Sequence, residues 1–401
     1  MIFKMNLLYK NSVYTFLIIL LFTLPLITSC SNDQFIVEPA GEQNHEYDVI
    51  LNNVSSEEHN FQVVRILDDL NYPWSLSWLP DGRMLISERP GQLILFDGIQ
   101  TQLVNGLPEI RAQGQGGLLD VVVHPDYETN GWIYFTYASP DGDNTSTTLS
   151  RAQLDGTEFI NLEVLYTQNP SQSPGRHYGS RIAFPGNGTV LFTIGERGLR
   201  QPSQDLNDPA GSTIRLNEDG SIPSDNPFTG RDDALPEIYS YGHRNAQGMT
   251  IHPESGAIWQ HEHGPRGGDA LNIIRPGANY GWPIATYGRN YGTTTRIGIE
   301  PHEDPNITVP ITYWVPTSIA PSGMAFYFDE AFPKWKGNLF IGALGQQHLR
   351  RLVLNGEEVV HQEVLLDRDI GRIRDVRTGP DGFIYILTDH SNGALYRIET
   401  L

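Results

Sequence analysis

The chain has 401 residues, with 27 Lys and Arg against 47 Asp and Glu, for a formal charge of −20. This acidity argues against nucleic acid as a partner, because phosphate binding needs a basic stripe. Forty Gly and 27 Pro beside 39% hydrophobic residues describe a globular, turn-rich chain, and the single Cys30 excludes an intramolecular disulfide or a cysteine metal cluster.

Residues 1–29 carry Lys4, Lys10 and no acid, then an apolar run from Tyr14 to Leu24 broken by Pro25. A basic start, an apolar middle and the small-residue end Thr28-Ser29 before Cys30 predict a signal peptide of lipoprotein type. Cys30 would then be lipidated and hold the protein to a membrane outside the cytoplasm. A plain cleaved leader is the alternative. Residues 30–60 are polar and acidic, and are expected to form a flexible tether.

From residue 61 a turn containing glycine precedes a strand-like run six times: Gly82-Arg-Met-Leu-Ile-Ser, Gly131-Trp-Ile-Tyr-Phe-Thr, Gly188-Thr-Val-Leu-Phe-Thr, Gly256-Ala-Ile-Trp-Gln-His, Gly337-Asn-Leu-Phe-Ile-Gly and Gly382-Phe-Ile-Tyr-Ile-Leu. Short runs rich in β-branched and aromatic residues, bounded by Pro-Asp-Gly or Asn-Gly turns, indicate antiparallel sheet. Six similar units predict an all-β fold for residues 61–401, a six-bladed β-propeller of four-stranded antiparallel blades. A pair of β-sandwiches is the rival, but sandwiches do not require one unit six times. The run Phe61–Ile66 precedes the first full unit and is free to complete the last blade. The glycines are 49, 57, 68, 81 and 45 residues apart, so the third to fifth units carry the long loops from which a site is built.

In a propeller the innermost strand of each blade lines the central channel. Its first residues here are Trp74, Gln115, His177, Arg244-Asn245, Ile319-Ala320 and Arg372/Arg374. This ring offers one histidine, two amides and three arginines, and is expected to lack carboxylates. Guanidinium groups match carboxylates in a bidentate fork, so the cluster implies an anionic ligand. A histidine among arginines is held neutral and is able to act as a general base. His124 and His252 precede prolines in turns and read as structural. His261 and His263 have zinc-like spacing but supply only two ligands. The stretch Gly264-Pro265-Arg-Gly-Gly-Asp269-Ala-Leu-Asn272, with Asn279-Tyr280-Gly-Trp-Pro283, exposes the carbonyl and carboxylate oxygens that calcium prefers, a composition shared by any tight loop.

The stretches Pro73-Trp74-Ser-Leu, Gly114-Gln115-Gly-Gly-Leu-Leu-Asp-Val, Gly195-Glu196-Arg-Gly, Tyr241-Gly-His-Arg244-Asn245, Glu262-His-Gly264-Pro265, Ile319-Ala-Pro-Ser-Gly323 and Arg372-Ile-Arg374-Asp resemble, in order, the quinoprotein glucose dehydrogenases and aldose sugar dehydrogenases that use pyrroloquinoline quinone (PQQ). The resemblance implies a six-bladed propeller that oxidises aldoses at C1 to lactones, with His177 as the base and the quinone taking the hydride. It implies that Gln115, Arg244, Asn245, Tyr291, Gly342, Ala343, Leu344, Arg372, Ile373 and Arg374 hold or flank PQQ. It implies Ca²⁺ on the carbonyls of Gly264 and Pro265, a further structural Ca²⁺ near Ala270 and Tyr280, and an external electron acceptor. Relatives commonly have Asp-Glu where this chain has Asp269-Ala270, so Ala270 has only its backbone carbonyl to give. Gly345 stands where glucose dehydrogenases place a lysine, which favours the aldose sugar dehydrogenase branch. Two other functions fit a propeller: a calcium-dependent lactonase or hydrolase, expected to carry a carboxylate cage on the axis, and a non-catalytic glycan-binding lipoprotein using exposed aromatics such as Trp282, Tyr287, Tyr291 and Trp314.

Overall fold

The computed structural model describes residues 47–401 apart from Pro174. The expected leader and the Cys30 anchor lie outside the described residues. Each of the six glycine-led runs is the second strand of an antiparallel blade. In sheet order, blade 1 is Pro73–Trp78, Met84–Glu88, Gln92–Phe96 and Thr101–Val104; blade 2 is Leu118–Val123, Trp132–Asp141, Asn144–Asp155 and Glu158–Thr167. Blade 3 is Ile182–Ala183, Thr189–Ile194, Ser212–Asn217 and Ile238–Ser240; blade 4 is Ala246–Ile251, Ile258–Glu262, Asp269–Ile274 and Thr312–Trp314. Blade 5 is Pro321–Tyr327, Asn338–Ala343, His348–Asn355 and Glu358–Leu365.

Blade 6 closes the ring. Ile373–Thr378, Ile384–Thr388 and Gly393–Thr400 take Asn60–Leu70 as their fourth strand, with Phe61 opposite Thr400 and Val63 opposite Ile398. The tether expected through residue 60 is corrected at its end. Asp48–Ser55 adds a fifth, mostly exposed edge strand to this blade. The following turn is pinned to blade 5, where Glu57 pairs with Arg351 at 3.0 Å and its N–H donates to Glu363 Oε1 at 2.7 Å. The acids of this segment are thus partly paired, not solely solvated.

Seven apolar clusters hold the ring among the described residues: one at each of the six junctions between blades, and a small seventh of Trp74, Leu119, Ala138 and Tyr178. Leu85, Leu95, Val121 and Phe135 join blades 1 and 2, whereas Val64, Leu395, Leu76 and Ile86 join blade 6 to blade 1. Of the junctions, that of blades 3 and 4 has the smallest cluster, built on Leu191, Met249 and Ile258. Removing one such side chain costs about 2–5 kcal/mol, so these junctions fix the angle at which neighbouring inner strands meet.

Inside the ring the channel is closed by charge. Arg181 Nη1 reaches Asp120 Oδ1 at 3.2 Å and Asp375 Oδ1 at 3.0 Å, and its plane lies 4.4 Å from the Trp74 ring. Arg377 bonds the same two carboxylates at 3.0 and 2.8 Å. The backbone N–H of Ile182 donates to Asp120 Oδ2, and that of Leu76 shares Asp375 Oδ2 with Arg377. These groups form a floor for whatever sits at the mouth above.

Candidate active site

His177 lies just before the inner strand of blade 3, with a backbone φ of 53°. That left-handed geometry is unfavourable for a side-chain-bearing residue and persists only where the surroundings impose it. It is held on both sides. Its N–H donates to Gln115 Oε1 at 2.7 Å, and its ring Nδ1 lies 2.6 Å from Glu196 Oε1. A Cβ on Gly195 would sit 2.1 Å from the His177 carbonyl, so only glycine lets the two segments approach this closely.

The carboxylate partner fixes the tautomer. Nδ1 carries the hydrogen and donates to Glu196, leaving Nε2 with a lone pair. Burial is the main cause that lowers the His177 pKa from 6.5; the Glu196 hydrogen bond opposes it, and the charges of Arg244 and Arg176 add to the lowering. The imidazole is therefore neutral at pH 7, with burial ahead of the arginine charge expected from the sequence. Burial would raise the Glu196 carboxyl, but His177, the Arg200 N–H and the Arg244 charge together hold it below its ordinary value.

His177 opens onto a cleft of about 330 Å³ that Gln115, Arg244, Pro265 and Tyr291 also line, so five of the expected residues meet there. Arg176, Glu196, Gly198, Arg200 and Trp282 complete the lining. Arg244 is buried, which lowers its pKa, and it is braced by the Gly264 and His263 carbonyls at 2.9 and 3.0 Å. Gly264 donates its N–H to Asp269 Oδ1 at 2.8 Å. Asp269 also accepts from Ser318, Ile319 and Ala320, yet burial pushes its carboxyl up to about 6.

The other expected cofactor residues gather on blades 5 and 6. Arg372 Nη1 donates to the Leu344 carbonyl at 3.0 Å, and a Cβ on Gly342 would lie 2.4 Å from Ile373 Cγ2. Ile373 and Ala343 belong to the apolar clusters between blades, so at those positions only the backbone is left for a ligand. The two groups connect around the mouth. Gly179, two residues after His177, donates to Asn245 Oδ1 at 3.1 Å, and Gln247, two residues after Asn245, accepts from Arg374 at 2.8 Å.

The ring is not free of carboxylates, as the sequence reading had it. Glu196 faces His177, and Asp389 accepts from Arg372 at 3.0 Å and pairs with Arg374 at 3.1 Å. Both come from the ends of second strands, not from the starts of inner strands. The same strand end carries Glu88 in blade 1 and Glu262 in blade 4, where each accepts a backbone N–H. The recurrence Ser87-Glu88, Gly195-Glu196, His261-Glu262 and Thr388-Asp389 was the signal available. It reads as one structural device reused in four blades, with a histidine on it twice: the buried His243 lies 3.2 Å from Glu262 in blade 4, whereas His177 on Glu196 lines a cleft.

The minor histidines take local roles. His124 Nδ1 accepts the Asp126 N–H and His252 Nδ1 accepts from Glu254, each closing its turn. His263 donates to the Pro321 carbonyl at 2.7 Å, and burial lowers its pKa well below 6.5.

A family model described as glucose/sorbosone dehydrogenase matches residues 70–397. The chain belongs to that family. The aldose sugar dehydrogenase YliI of Escherichia coli is 42% identical over 84% of this chain and 92% of its own length. A solved glucose dehydrogenase is 42% identical with a TM-score of 0.82, covering 84% of this chain and 99% of that one. A PQQ-bound aldose sugar dehydrogenase from Streptomyces coelicolor is 25% identical with a TM-score of 0.69, covering 84% and 98%.

Two atoms test whether a quinone cofactor of this family fits here. Asn245 Nδ2 and Arg374 Nε are buried with no hydrogen-bond partner, although both residues are otherwise held. Buried donors without partners are costly, and an acceptor-rich ligand above the floor would satisfy them. The Pro265 carbonyl is a suitable oxygen for calcium, and the Gly264 carbonyl, which accepts Arg244 Nη1 at 2.9 Å, keeps a second lone pair for it. The second expected calcium position is different. Ala270 has no side-chain oxygen, and the Tyr280 hydroxyl already donates to the Ile273 carbonyl and accepts the Arg275 N–H. The side chains at that position do not fit a metal.

Proposed function

We propose that this chain is a PQQ- and calcium-dependent aldose dehydrogenase that oxidises the C1 hydroxyl of a sugar to the lactone. One observation carries the reading: a neutral, carboxylate-oriented His177 opens onto a cleft whose neighbouring Asn245 and Arg374 have unmet donors. Arg244, Asn245, Arg372 and Arg374 would hold the carboxylates of PQQ, and the Gly264 and Pro265 carbonyls would hold Ca²⁺. When bound, PQQ supplies the two-electron acceptor for the C1 hydride, and Ca²⁺ polarises it. His177 Nε2 takes the C1 hydroxyl proton, while Glu196 holds the ring and stabilises the imidazolium that forms. The two electrons then leave to an external acceptor.

A hydrolase would need free axial carboxylates. Asp120 and Asp375 are engaged by Arg181 and Arg377, which favours the dehydrogenase. The test is reconstitution: PQQ with Ca²⁺ added to purified protein should give a bound quinone spectrum that bleaches with aldose. A protein that binds no PQQ would refute the proposal. We further propose export and lipid anchoring at Cys30. Fatty-acid labelling should be lost in Cys30→Ser, and a wild-type protein that takes no label would refute the anchor.

A further inference from the structure

Three arginines line the cleft, and of these Arg244 is anchored through Nη1 to the loop carbonyls of His263 and Gly264. Arg176 directly precedes His177. Its guanidinium crosses Gly198, where a Cβ would lie 2.3 Å from Nε, and it has no hydrogen bond or ion pair from its side chain among the described residues. Arg200 belongs to the turn that carries Glu196, with its own N–H on Glu196 Oε2 at 2.7 Å. Its side chain lies over Trp282 at 5.5 Å and reaches only the neutral Asn290 Oδ1.

Several acceptors of the same cleft are taken. Gln115 Oε1 takes the His177 N–H, Glu196 Oε1 takes the ring and Glu196 Oε2 takes Arg200 N–H. Trp282 Nε1 is a further buried donor without a partner. The acceptors that stay open are neutral, among them His177 Nε2, the Tyr291 hydroxyl and the Pro265 carbonyl, and no carboxylate of the lining pairs with Arg176 or Arg200. A neutral aldose presents hydroxyls that donate as readily as they accept, and it suits a site with both kinds of partner. A donor surplus with two unpaired guanidiniums suits a carboxylate or phosphate. Arg176 and Arg200 are exposed at the cleft, so although a chain of charge −20 repels anions at long range, two guanidiniums beside the base attract one that reaches it.

We propose that Arg176 and Arg200 are specificity-determining residues that select an aldose bearing an anionic group, a uronate or a sugar phosphate, over a neutral one. The proposal rests on the aldose dehydrogenase reading and names its substrate class. The reaction is unchanged: the C1–H bond breaks with its electron pair passing to the cofactor, the hydroxyl proton passes to His177, and the anionic group takes no part.

The test compares D-glucose, D-glucuronate and D-glucose 6-phosphate as substrates of the PQQ- and Ca²⁺-loaded protein. The kcat/KM ratio of an anionic sugar to glucose should be about tenfold or more, carried mainly by KM, as charge-assisted hydrogen bonds to one partner allow. The ratio should fall towards one in Arg176→Gln/Arg200→Gln and recover in part in the double lysine variant. The two anionic arms tell carboxylate from phosphate. A wild-type ratio of one or less overturns the proposal, as does a preference that survives in the double glutamine variant. Calorimetry on the same proteins separates this outcome from failure of the enzymatic reading. If no sugar is oxidised but an anionic sugar binds and is lost in the double variant, selection stands and the reaction falls; if glucose is oxidised and no anionic sugar binds, selection falls and the reaction stands.

Discussion

Two arginine clusters share the propeller axis, and they differ in balance. In the floor, Arg181 and Arg377 face Asp120 and Asp375, two cations for two anions, and the carboxylate oxygens are all bonded. At the mouth, Arg176, Arg200 and Arg244 share a cleft with one carboxylate, Glu196, and that carboxylate is committed to His177 and a backbone N–H. Both clusters are arginine-rich in sequence. A network with as many carboxylates as guanidiniums is a structural plug, because each desolvated charge meets its opposite, although Arg181 Nη2 is left without a hydrogen-bond partner. An unbalanced one, with three guanidiniums and one committed carboxylate in its cleft, is a place for a ligand.

Removing the base tests the mouth most severely. His177→Ala should lower kcat by about 10²–10⁴, the usual worth of a general base, while PQQ still binds. Stopped-flow turnover beside a PQQ titration reads both quantities. In the wild type the acid limb of kcat/KM should lie below pH 6.5, because burial lowers the His177 pKa and the neutral ring is the active form. Turnover of His177→Ala within a few-fold of wild type would remove this residue from the mechanism.

The floor should fail differently. Asp375→Ala leaves Arg181 and Arg377 short of a buried partner, and breaking such a pair costs about 3–5 kcal/mol. Thermal unfolding should fall sharply, and it should do so with or without PQQ. A loss confined to the PQQ-loaded form would mean that Asp375 belongs to the ligand site.

Cofactor affinity falls between these cases. Arg244→Ala or Arg374→Ala should weaken PQQ binding by about 2–5 kcal/mol, as when one partner of a buried charged hydrogen bond is removed. Fluorescence titration measures it directly. Unchanged affinity in both variants would mean that the mouth arginines serve structure, as those of the floor do.

The difference between floor and mouth explains what the sequence could show. The six glycine-led runs announced the blades because each second strand is a short apolar run after a turn, a strictly local signal. The inner-strand starts announced Gln115, His177, Arg244 and Arg374 because one position recurs in every blade. Glu196 and Asp389 escaped because their significance lies across a strand pair, at the far end of the second strand. Arg181, Asp120 and Asp375 escaped for a related reason. Their pairing spans 61 and 194 residues, and nothing local in Ser180-Arg181-Ile182 tells a plug arginine from a ligand arginine. The fifth strand at Asp48–Ser55 was hidden by polar composition, which an exposed edge strand shares with a tether.

The smallest effect concerns a histidine of the walls. His261 is fully buried beside Gly248, where a Cβ would lie 2.0 Å from its Nε2, and neither ring nitrogen has a hydrogen-bond partner. Burial lowers its pKa to about 3, with the Arg181 charge adding to the effect. Its folded value lies below the unfolded value near 6.5, so the stability it contributes is complete above pH 6.5 and is lost as pH falls towards 3. Each unit of pH removes about 1.4 kcal/mol in that window. Asp269 works in the opposite sense: with its carboxyl raised to about 6, it costs stability at neutral pH and regains it as pH falls from 6 towards its unfolded value. The two partly cancel in the wild type, so the whole-protein curve conceals His261. His261→Asn uncovers it. Its packing defect is the same at every pH, so its stability relative to wild type should improve by about 2 kcal/mol between pH 7 and pH 5, read by urea unfolding. A difference that stays constant across that range would mean that His261 already carries a proton or gains a partner, and the wall would then share the charge imbalance of the mouth.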